Sequence, residues 1–369
     1  MAFKKNINPI FVTQPSLPPL KQYMPYLQKI WKSKILTNGG KFHEELEKKL
    51  CDYLGVKYIS LFTNGTLALM VALKSLEIKG DVITTPYSFV ATTNVLKWLN
   101  INPIFVDIEP KNLTLDPKKV EKAITGKTGA ILPVHVYGYP CKVKELEKIS
   151  KKYNIPIIYD AAHAFGVKLN NTSILNFGNL SILSFHATKI FNTFEGGAII
   201  SHDQKTKEKI DQLKNFGFTD EISISLPGIN AKMNELQASM GLLQLQYVDS
   251  YILKRKQIID EYRRQLKNIP GITFLQDLKN VKHNYSYFPI FIDDKKYGKT
   301  RDEIQKKLKE NNILTRRYFY PLISQLDVYH KNDNLLFAQK LAMKVLCLPV
   351  FTDLKINKIN NIIKIIKEG

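Results

Sequence analysis

The sequence predicts an α/β fold in which a large domain with a mainly parallel sheet precedes a smaller α+β domain. From about residue 40 to residue 240, amphipathic segments alternate with short runs rich in Val and Ile. This alternation is typical of a parallel sheet covered by helices on both faces. After about residue 245 the alternation stops. We therefore expect an N-terminal arm over residues 1–20, a large domain over 21–245 and a small C-terminal domain over 246–369.

The predicted elements of the large domain follow from helical periodicity and from β-branched runs. The segment FHEELEKKLCDYLG predicts a helix that ends at Gly55, and LALMVALKSLEIKG predicts a helix closed by Gly80. Two further helical segments are SFVATTNVLKWLN and KVKELEKISKKYN. The predicted strands are DVITTPY, INPIFVDI, AILPVHVYG, IPIIYDA, LSILSF and GGAIISHD.

The two ends of the chain have different patterns. Residues 1–20 are rich in proline and lack periodicity, which indicates an extended arm. The C-terminal part contains one alternating strand, YSYFPIFID. Its predicted helices are YVDSYILKRKQIIDEYRRQLKNI, TRDEIQKKLKENNI and KINKINNIIKIIKEG.

The composition favours a globular cytoplasmic protein. With 44% hydrophobic and 11% aromatic residues, the chain can bury a core, which excludes extensive disorder. No apolar run reaches the ~18–20 residues of a membrane span, and the first twenty residues contain no secretion signal. Cys51, Cys141 and Cys347 lie far apart, so we expect neither a disulfide framework nor a metal site.

The formal net charge of +21 raises the possibility of a nucleic-acid partner. Only six of the 54 basic residues are arginine, however, and the lysines are scattered at helical surface spacings. Proteins that read nucleic acid usually cluster their charge and use arginine. The charge therefore favours a lysine-rich surface, with attraction to an anionic substrate as a second interpretation, and we expect no nucleic-acid partner.

Three features suggest chemistry. Asp160 ends a predicted parallel strand, where open α/β sheets bind ligands, although it could equally cap the following helix. Lys189 follows the next strand among small residues and precedes Gly196 and Gly197. A desolvated lysine can bond covalently to an aldehyde, but taken alone this one is more simply a loop lysine.

The third feature is the sequence TNGT at residues 63–66, which includes Gly65 and Thr66 and begins a helix. Free N–H groups at such a helix start bind phosphate, although an ordinary capped helix is also consistent with it. Together, the lysine, the carboxylate and the helix start meet the requirements of pyridoxal 5′-phosphate: an amine for the aldehyde, an acid for the ring nitrogen and donors for the phosphate.

With these features identified, the sequence resembles the DegT/DnrJ/EryC1/StrS family of sugar aminotransferases, within the type I (aspartate aminotransferase-like) fold. The resemblance covers nearly the whole chain. The stretches that carry it are FTNGTLALMVAL, DVITTPYSFVATTN, PIFVDIEPKNLTLDPKKVEKAI, ILPVHVYGYPC, IIYDAAHAFGV, SFHATKIFNTFEGGAI and GINAKMNELQASMGLLQL.

The resemblance implies roles for individual residues. Lys189 matches the lysine that bonds to the cofactor and carries protons, and Asp160 matches the partner of the ring nitrogen. His163 stands where many members have Gln, beside the ring hydroxyl; a buried structural histidine is the alternative. Phe89 matches the aromatic residue that stacks on the ring. The phosphate contacts implied are Gly65, Thr66 and Ser184.

Other matches concern the second subunit and the reaction type. Asn230 matches a residue that reaches the phosphate of the other subunit, so the family implies a homodimer with shared sites. Lys232 stands where most members have Arg, and Lys is a point charge rather than a two-pronged donor. Glu195 also matches the motif. Related dehydratases have His in place of Lys189, so the lysine favours amino transfer.

The substrate is suggested by VTQPSLPPLKQYMPYLQKIW and ILTNGGKFHEELEKKL, which resemble the subgroup that makes dTDP-4-amino-4,6-dideoxyglucose from the 4-keto sugar. The implied amino donor is L-glutamate, and the implied destination is a surface polysaccharide such as O antigen. Arg316 and Arg317 are candidates for holding anionic groups, with an exposed basic turn as the alternative. Tyr318 and Tyr320 could line the sugar pocket or pack in the small domain.

Two other functions remain open at the level of sequence. A 3-aminotransferase acting on a 3-keto-6-deoxy nucleotide sugar would have the same fold and cofactor. A cofactor-binding regulator without turnover belongs to another class, and the intact Lys189 and Asp160 argue against it.

Overall fold

The computed structural model describes residues 8–329 and 335–368, and its elements follow the predicted order. The helices are α1 (Leu20–Ser33), α2 (Lys41–Leu54), α3 (Gly65–Ser75), α4 (Ala91–Trp98), α5 (Pro117–Ala123), α6 (Val143–Tyr153), α7 (Gln204–Leu213), α8 (Glu235–Leu245), α9 (Val248–Leu266), α10 (Asp294–Tyr297), α11 (Arg301–Glu310), α12 (Leu336–Lys344) and α13 (Ile356–Lys367). The strands are β1 (Ile10–Phe11), β2 (Tyr58–Phe62), β3 (Asp81–Thr84), β4 (Asn102–Phe105), β5 (Thr128–Leu132), β6 (Ile158–Asp160), β7 (Lys168–Leu169), β8 (Thr172–Ser173), β9 (Leu180–Ser184), β10 (Gly197–Ser201), β11 (Ile272–Phe274), β12 (Val281–Lys282), β13 (Phe288–Ile292), β14 (Ile313–Leu314) and β15 (Val345–Leu348).

The main sheet has seven strands in the order β2-β10-β9-β6-β5-β3-β4. Two groups, β2-β10-β9-β6 and β4-β3-β5, are joined by parallel bridges from Ile131 to Ile157 and from Val134 to Asp160. Only β10 runs antiparallel to its neighbours. The predicted mainly parallel sheet is therefore confirmed, and the carboxyl ends of six strands meet at one edge.

Helices cover both faces of this sheet. On one face α2, α6 and α8 pack in a cluster that includes Leu46, Leu146 and Leu242. On the other face α3, α4 and α7 pack in a second cluster that includes Leu69, Val95 and Ile210. Successive strand residues face opposite clusters, which is why these strands are apolar at nearly every position.

The C-terminal part has its own core around the three-stranded sheet β11-β13-β15. The second half of α9 packs in this core with α11 and α13, whereas Val248 and Tyr251 at its start pack in the large-domain cluster. The predicted boundary at 245/246 therefore falls just before a helix that contacts both cores, and the division into domains remains a prediction.

One local prediction differs from the structure. The helix predicted to close at Gly80 ends at Ser75, because the chain turns at Glu77 (φ 51°) and uses Gly80 (φ 79°) to enter β3. Gly55, by contrast, is the left-handed cap of α2, and its N–H donates to the Cys51 carbonyl oxygen. Within the predicted arm, residues 1–7 lie outside the described residues, and Ile10–Phe11 pairs in parallel with β14.

No helix within residues 8–329 and 335–368 is both long and apolar enough to cross a lipid bilayer.

Candidate active site

A cavity of about 270 Å³ opens at the edge where the parallel strands end. Seven of the eight predicted site residues line it, namely Gly65, Thr66, Phe89, Asp160, His163, Ser184 and Lys189. They come from the last residues of β6 and β9 and from the loops or helix starts that follow β2, β3, β6 and β9. The sheet topology thus brings together side chains that are far apart in the sequence, as expected at the carboxyl edge of an open sheet.

Lys189 lies five residues after the end of β9, in a tight turn. Its backbone N–H donates to the His186 carbonyl oxygen, and the residue lines the cavity. The amine Nζ contacts the Tyr287 hydroxyl at 3.4 Å. Burial lowers the pKa of this amine from 10.5 to about 8, and the Asp160 carboxylate opposes the shift. A lysine in this state has a substantial neutral fraction near neutral pH and can act as a nucleophile and a base.

Asp160 is the last residue of β6 and is 5% exposed. One carboxylate oxygen accepts a hydrogen bond from the Thr92 hydroxyl at 2.8 Å, and the other accepts one from the Ala162 N–H at 3.1 Å. Burial raises the pKa of the carboxyl, while these two hydrogen bonds and the Lys189 charge lower it. A buried carboxylate held in this way is suited to pairing with a cation bound in the cavity.

His163 lies in the turn after β6, and its ring also lines the cavity. Its Nδ1 accepts the Tyr137 N–H at 3.1 Å. Burial and the Lys189 charge lower the pKa of this imidazole well below its usual value, so the ring is neutral and carries its proton on Nε2. The structure thus makes His163 a hydrogen-bond donor toward the cavity, which is what an oxygen on the cofactor ring requires.

The phosphate end of the predicted site is the start of α3. Asn64 caps this helix through its side-chain oxygen, which accepts the Leu67 N–H at 2.9 Å. The N–H groups of Gly65 and Thr66 belong to the first turn, so neither has a partner within the helix. A Cβ on Gly65 would lie 3.1 Å from the Ser184 Cβ, so glycine lets the helix start approach the end of β9. The free N–H groups at this helix start, next to Ser184, are suited to binding an anion such as phosphate.

Phe89 and Asn230 take different positions relative to the cavity. Phe89 lies between β3 and α4, lines the cavity and is 58% exposed, so its ring is open to stack on a bound group. Asn230 is exposed and does not line the cavity of its own chain. Lys232 turns to Asn215, to whose side-chain oxygen Nζ donates at 2.7 Å.

The residues present fit pyridoxal phosphate. A carboxylate, a neutral histidine, an amine of lowered pKa and a helix start all line one cavity. In the described part of the chain, no group of three or more His, Cys, Asp or Glu side chains is arranged to hold a metal ion.

Two contacts of the site were not anticipated from the sequence. Thr92 bonds to Asp160 across 68 positions of sequence, and Tyr287 contacts Lys189 across 98 positions. The position of Thr92 could have been found from the sequence, because SFVATTN starts the helix that follows β3 and therefore lies at the carboxyl edge of the sheet. Tyr287 comes from the C-terminal part, and no local pattern pointed to it.

The amine of Lys189 is expected to react with an acylating reagent increasingly fast as pH rises through about 8 in the cofactor-free protein. Only the neutral amine reacts, and burial places its pKa near that pH. Because Asp160 raises this pKa, Asp160→Asn should shift the midpoint to lower pH. Peptide mass spectrometry from about pH 6 to about pH 10 would measure it, with the exposed Lys97 as a reference for the reagent. If Asp160→Asn left the midpoint unchanged, the Asp160 charge would not influence the pKa of Lys189.

Comparisons with known proteins agree with this geometry. The model of the DegT/DnrJ/EryC1/StrS aminotransferase family matches residues 20–367. The chain is 53% identical to a dTDP-4-amino-4,6-dideoxy-D-glucose transaminase of Escherichia coli over 95% of both chains. It is 50% identical to a transaminase of the same name from Shigella dysenteriae over 98% of this chain and 99% of the relative. Among solved structures, DesI in the presence of its TDP-sugar product has a TM-score of 0.94 and 31% identity, over 98% of this chain and 93% of that one.

Proposed function

Since this chain belongs to the DegT/DnrJ/EryC1/StrS aminotransferase family and is a pyridoxal-phosphate-dependent sugar aminotransferase, we propose that it aminates C4 of dTDP-4-keto-6-deoxyglucose. The product is dTDP-4-amino-4,6-dideoxyglucose, and the donor is L-glutamate. The observation that carries the proposal is the identity of 50% and 53% to two transaminases named for this product, over nearly the full length of the chain.

Each site residue has a separate proposed role in the reaction. When bound, pyridoxal phosphate supplies an aldehyde that accepts an amine and a ring that withdraws electrons. Asp160 would keep the ring nitrogen protonated, His163 would donate to the ring oxygen, and the start of α3 with Ser184 would hold the phosphate. Lys189 would fix the cofactor and, once released, would take a proton from the donor carbon as a neutral amine.

A second cavity suggests where the anionic groups of the substrates bind. This cavity of about 720 Å³ shares Thr188 and Tyr318 with the first, and its charged lining consists of three cations, Arg316, Lys306 and Lys309, and one carboxylate, Asp302. Arg317, in contrast, pairs with Asp302 at 3.1 Å. We assign the binding of substrate phosphate or carboxylate to Arg316, because this residue is exposed and lines the cavity that adjoins the predicted cofactor site.

Substitution of Arg316 by glutamine is expected to raise the KM for the nucleotide sugar about tenfold to a hundredfold with a smaller change in kcat. Hydrogen bonds to charged groups contribute about 1.5–3 kcal/mol, which corresponds to that range. Arg317→Gln is the matched control, because it loses mainly a partly exposed ion pair. Steady-state kinetics measure both constants, and equal changes of KM in the two variants would contradict the assignment of Arg316.

A homodimer with shared sites is part of the proposal. Asn230 lies outside the cavity of its own chain, and the loop before it exposes apolar side chains. Their exposed fractions are 47% for Phe216, 89% for Ile222 and 61% for Ile224. Exposed apolar patches mark interaction surfaces, and a second copy of this chain is the partner we infer. In that dimer Asn230 would reach the phosphate of the neighbouring subunit.

The decisive experiment supplies the purified protein with pyridoxal phosphate, L-glutamate and dTDP-4-keto-6-deoxyglucose. Release of 2-oxoglutarate that depends on the sugar, with the 4-amino sugar as product, is the expected result. If glutamate converts the cofactor to its amine but the sugar does not react, the 4-keto substrate is wrong and the 3-keto isomer is tested next. A cytoplasmic location and use in O-antigen synthesis remain predictions of the sequence.

A further inference from the structure

Asn284 of the C-terminal part holds the main chain of the turn that carries His163. It lies between β12 and β13, is fully buried and does not line the cavity. Its Nδ2 donates to the His163 carbonyl oxygen at 2.8 Å and to the Phe165 carbonyl oxygen at 2.9 Å. Both protons of one amide group therefore hold two carbonyl groups of the same turn.

The orientation of the Asn284 amide is fixed by Ser286. The Ser286 hydroxyl donates to Oδ1 of Asn284 at 3.0 Å, and the Ser286 backbone N–H donates to the same oxygen at 3.3 Å. With the amide turned over, its oxygen would face two carbonyl oxygens and its NH2 group would face the Ser286 N–H. Only one orientation satisfies all four hydrogen bonds, so the amide is held in that orientation.

The ring of His163 is held as well. Its Nδ1 accepts the Tyr137 N–H at 3.1 Å, and the ring packs against that of Tyr287 with centroids 4.7 Å apart. Gly138 follows Tyr137 with φ 90°, and a Cβ there would lie 2.8 Å from Oδ1 of Asn284 and 3.0 Å from the His163 carbonyl oxygen. A side chain at position 138 would therefore displace Asn284 or the turn.

We propose that Asn284 is a positioning residue of the cofactor site, which fixes the main chain of His163 so that the imidazole keeps its Nε2 proton available to the ring oxygen of pyridoxal phosphate. Since Asn284 does not line the cavity, it acts through His163. An imidazole held only through Nδ1 could pivot about the Tyr137 N–H. Fixing the main chain removes this freedom before the cofactor binds, and a preorganised donor binds its ligand more tightly.

This inference rests on the role proposed above for His163, and on neither the amino donor nor the sugar. The test measures the dissociation constant of pyridoxal phosphate and the absorption maximum of the bound cofactor without either substrate. Asn284→Ala is expected to raise the dissociation constant about twofold to tenfold, which is the range for one hydrogen bond. It should also shift the absorption maximum in the same direction as His163→Phe does.

Asn112→Ala is the matched control for the loss of a buried amide. Nδ2 of Asn112 donates to the Pro140 carbonyl oxygen at 3.1 Å, and neither residue lines the cavity. This variant should leave the dissociation constant and the absorption maximum unchanged.

The double variant separates positioning from a general structural role. If Asn284 acts through His163, Asn284→Ala should change the dissociation constant by less than about twofold in the His163→Phe background. Effects that multiply in the double variant would overturn the proposal, and so would a wild-type dissociation constant in Asn284→Ala. A wild-type dissociation constant and absorption maximum in His163→Phe would also overturn it, because His163 would then have no role for Asn284 to support.

Ser286→Ala keeps the test decisive if Asn284→Ala does not fold. It removes the shorter of the two hydrogen bonds to Oδ1 of Asn284 and leaves the amide in place. A smaller rise of the dissociation constant is expected, which disappears in the His163→Phe background, and no rise would overturn the proposal. If these results are as expected but glutamate or the 4-keto sugar does not react, the proposed substrates are wrong and the role of Asn284 is retained.

Discussion

Lys189→Ala is expected to abolish amino transfer and covalent attachment of the cofactor together. Proton transfer by a positioned group accounts for about a hundredfold to a ten-thousandfold of rate in enzymes, and this lysine would also supply the covalent link. The turnover number should therefore fall by at least the upper part of that range. Reduction of the loaded protein with borohydride followed by mass spectrometry measures the link, and 2-oxoglutarate release measures turnover.

Lys189→Arg is the control that separates the effect of the positive charge from the effect of a reactive neutral amine. Arginine keeps the positive charge and most of the length but cannot act as a neutral amine near pH 7, so it should be as inactive as alanine. A variant at the exposed Lys97 should behave as the wild type in both measurements. Turnover in Lys189→Ala within tenfold of the wild type would contradict the role of the lysine.

Asp160→Asn is expected to lower kcat about a hundredfold to a thousandfold while the protein still folds. Asparagine keeps the shape, and its single amide oxygen can still accept the hydrogen bond from the Ala162 N–H while its NH2 group faces the Thr92 hydroxyl oxygen, but it has no charge to hold the ring nitrogen protonated. Loss of one preorganised electrostatic contact at a reacting centre has an effect of this size. Stopped-flow measurement of cofactor conversion by glutamate isolates the step in which this charge acts.

Thr92→Val is the graded companion of this experiment. It leaves the Asp160 charge in place and removes one hydrogen bond, so the loss of rate should be smaller than in Asp160→Asn. If Asp160→Asn kept the wild-type rate of cofactor conversion, the carboxylate would have only a structural role, such as holding Thr92 and the turn after β6.

The centre of the candidate site was predictable because local pattern and topology act together there. The apolar run IPIIY indicated a strand, and its parallel neighbours put Asp160 at the ligand edge of the sheet. Lys189 and the start of α3 follow strands of the same sheet, so one topological rule placed all three. Their roles came from the resemblance to the family, because spacing alone left each with an ordinary structural explanation.

The contacts that the C-terminal part makes with the site were not predictable in the same way. Tyr287 belongs to a region that packs in another hydrophobic cluster, and its contact with Lys189 depends on how the C-terminal part sits against the sheet edge. The difference between Arg316 and Arg317 is of the same kind. The two are adjacent in sequence, yet Arg316 lines a cavity itself, whereas Arg317 pairs with Asp302, a residue of α11 that also lines this cavity and that only the fold brings near.

The predicted helices and strands, the mainly parallel sheet and the family can be read from the sequence, because they depend on periodicity, on β-branched runs and on motifs along the chain. The long-range partners of Asp160 and Lys189, and the position of Asn230 outside the cavity of its own chain, depend instead on how the chain packs. The pKa of Lys189 belongs with these, since it depends on burial and on a carboxylate 29 positions earlier in the chain. Desolvation and charge act through space, and distance through space is set by packing rather than by position along the chain.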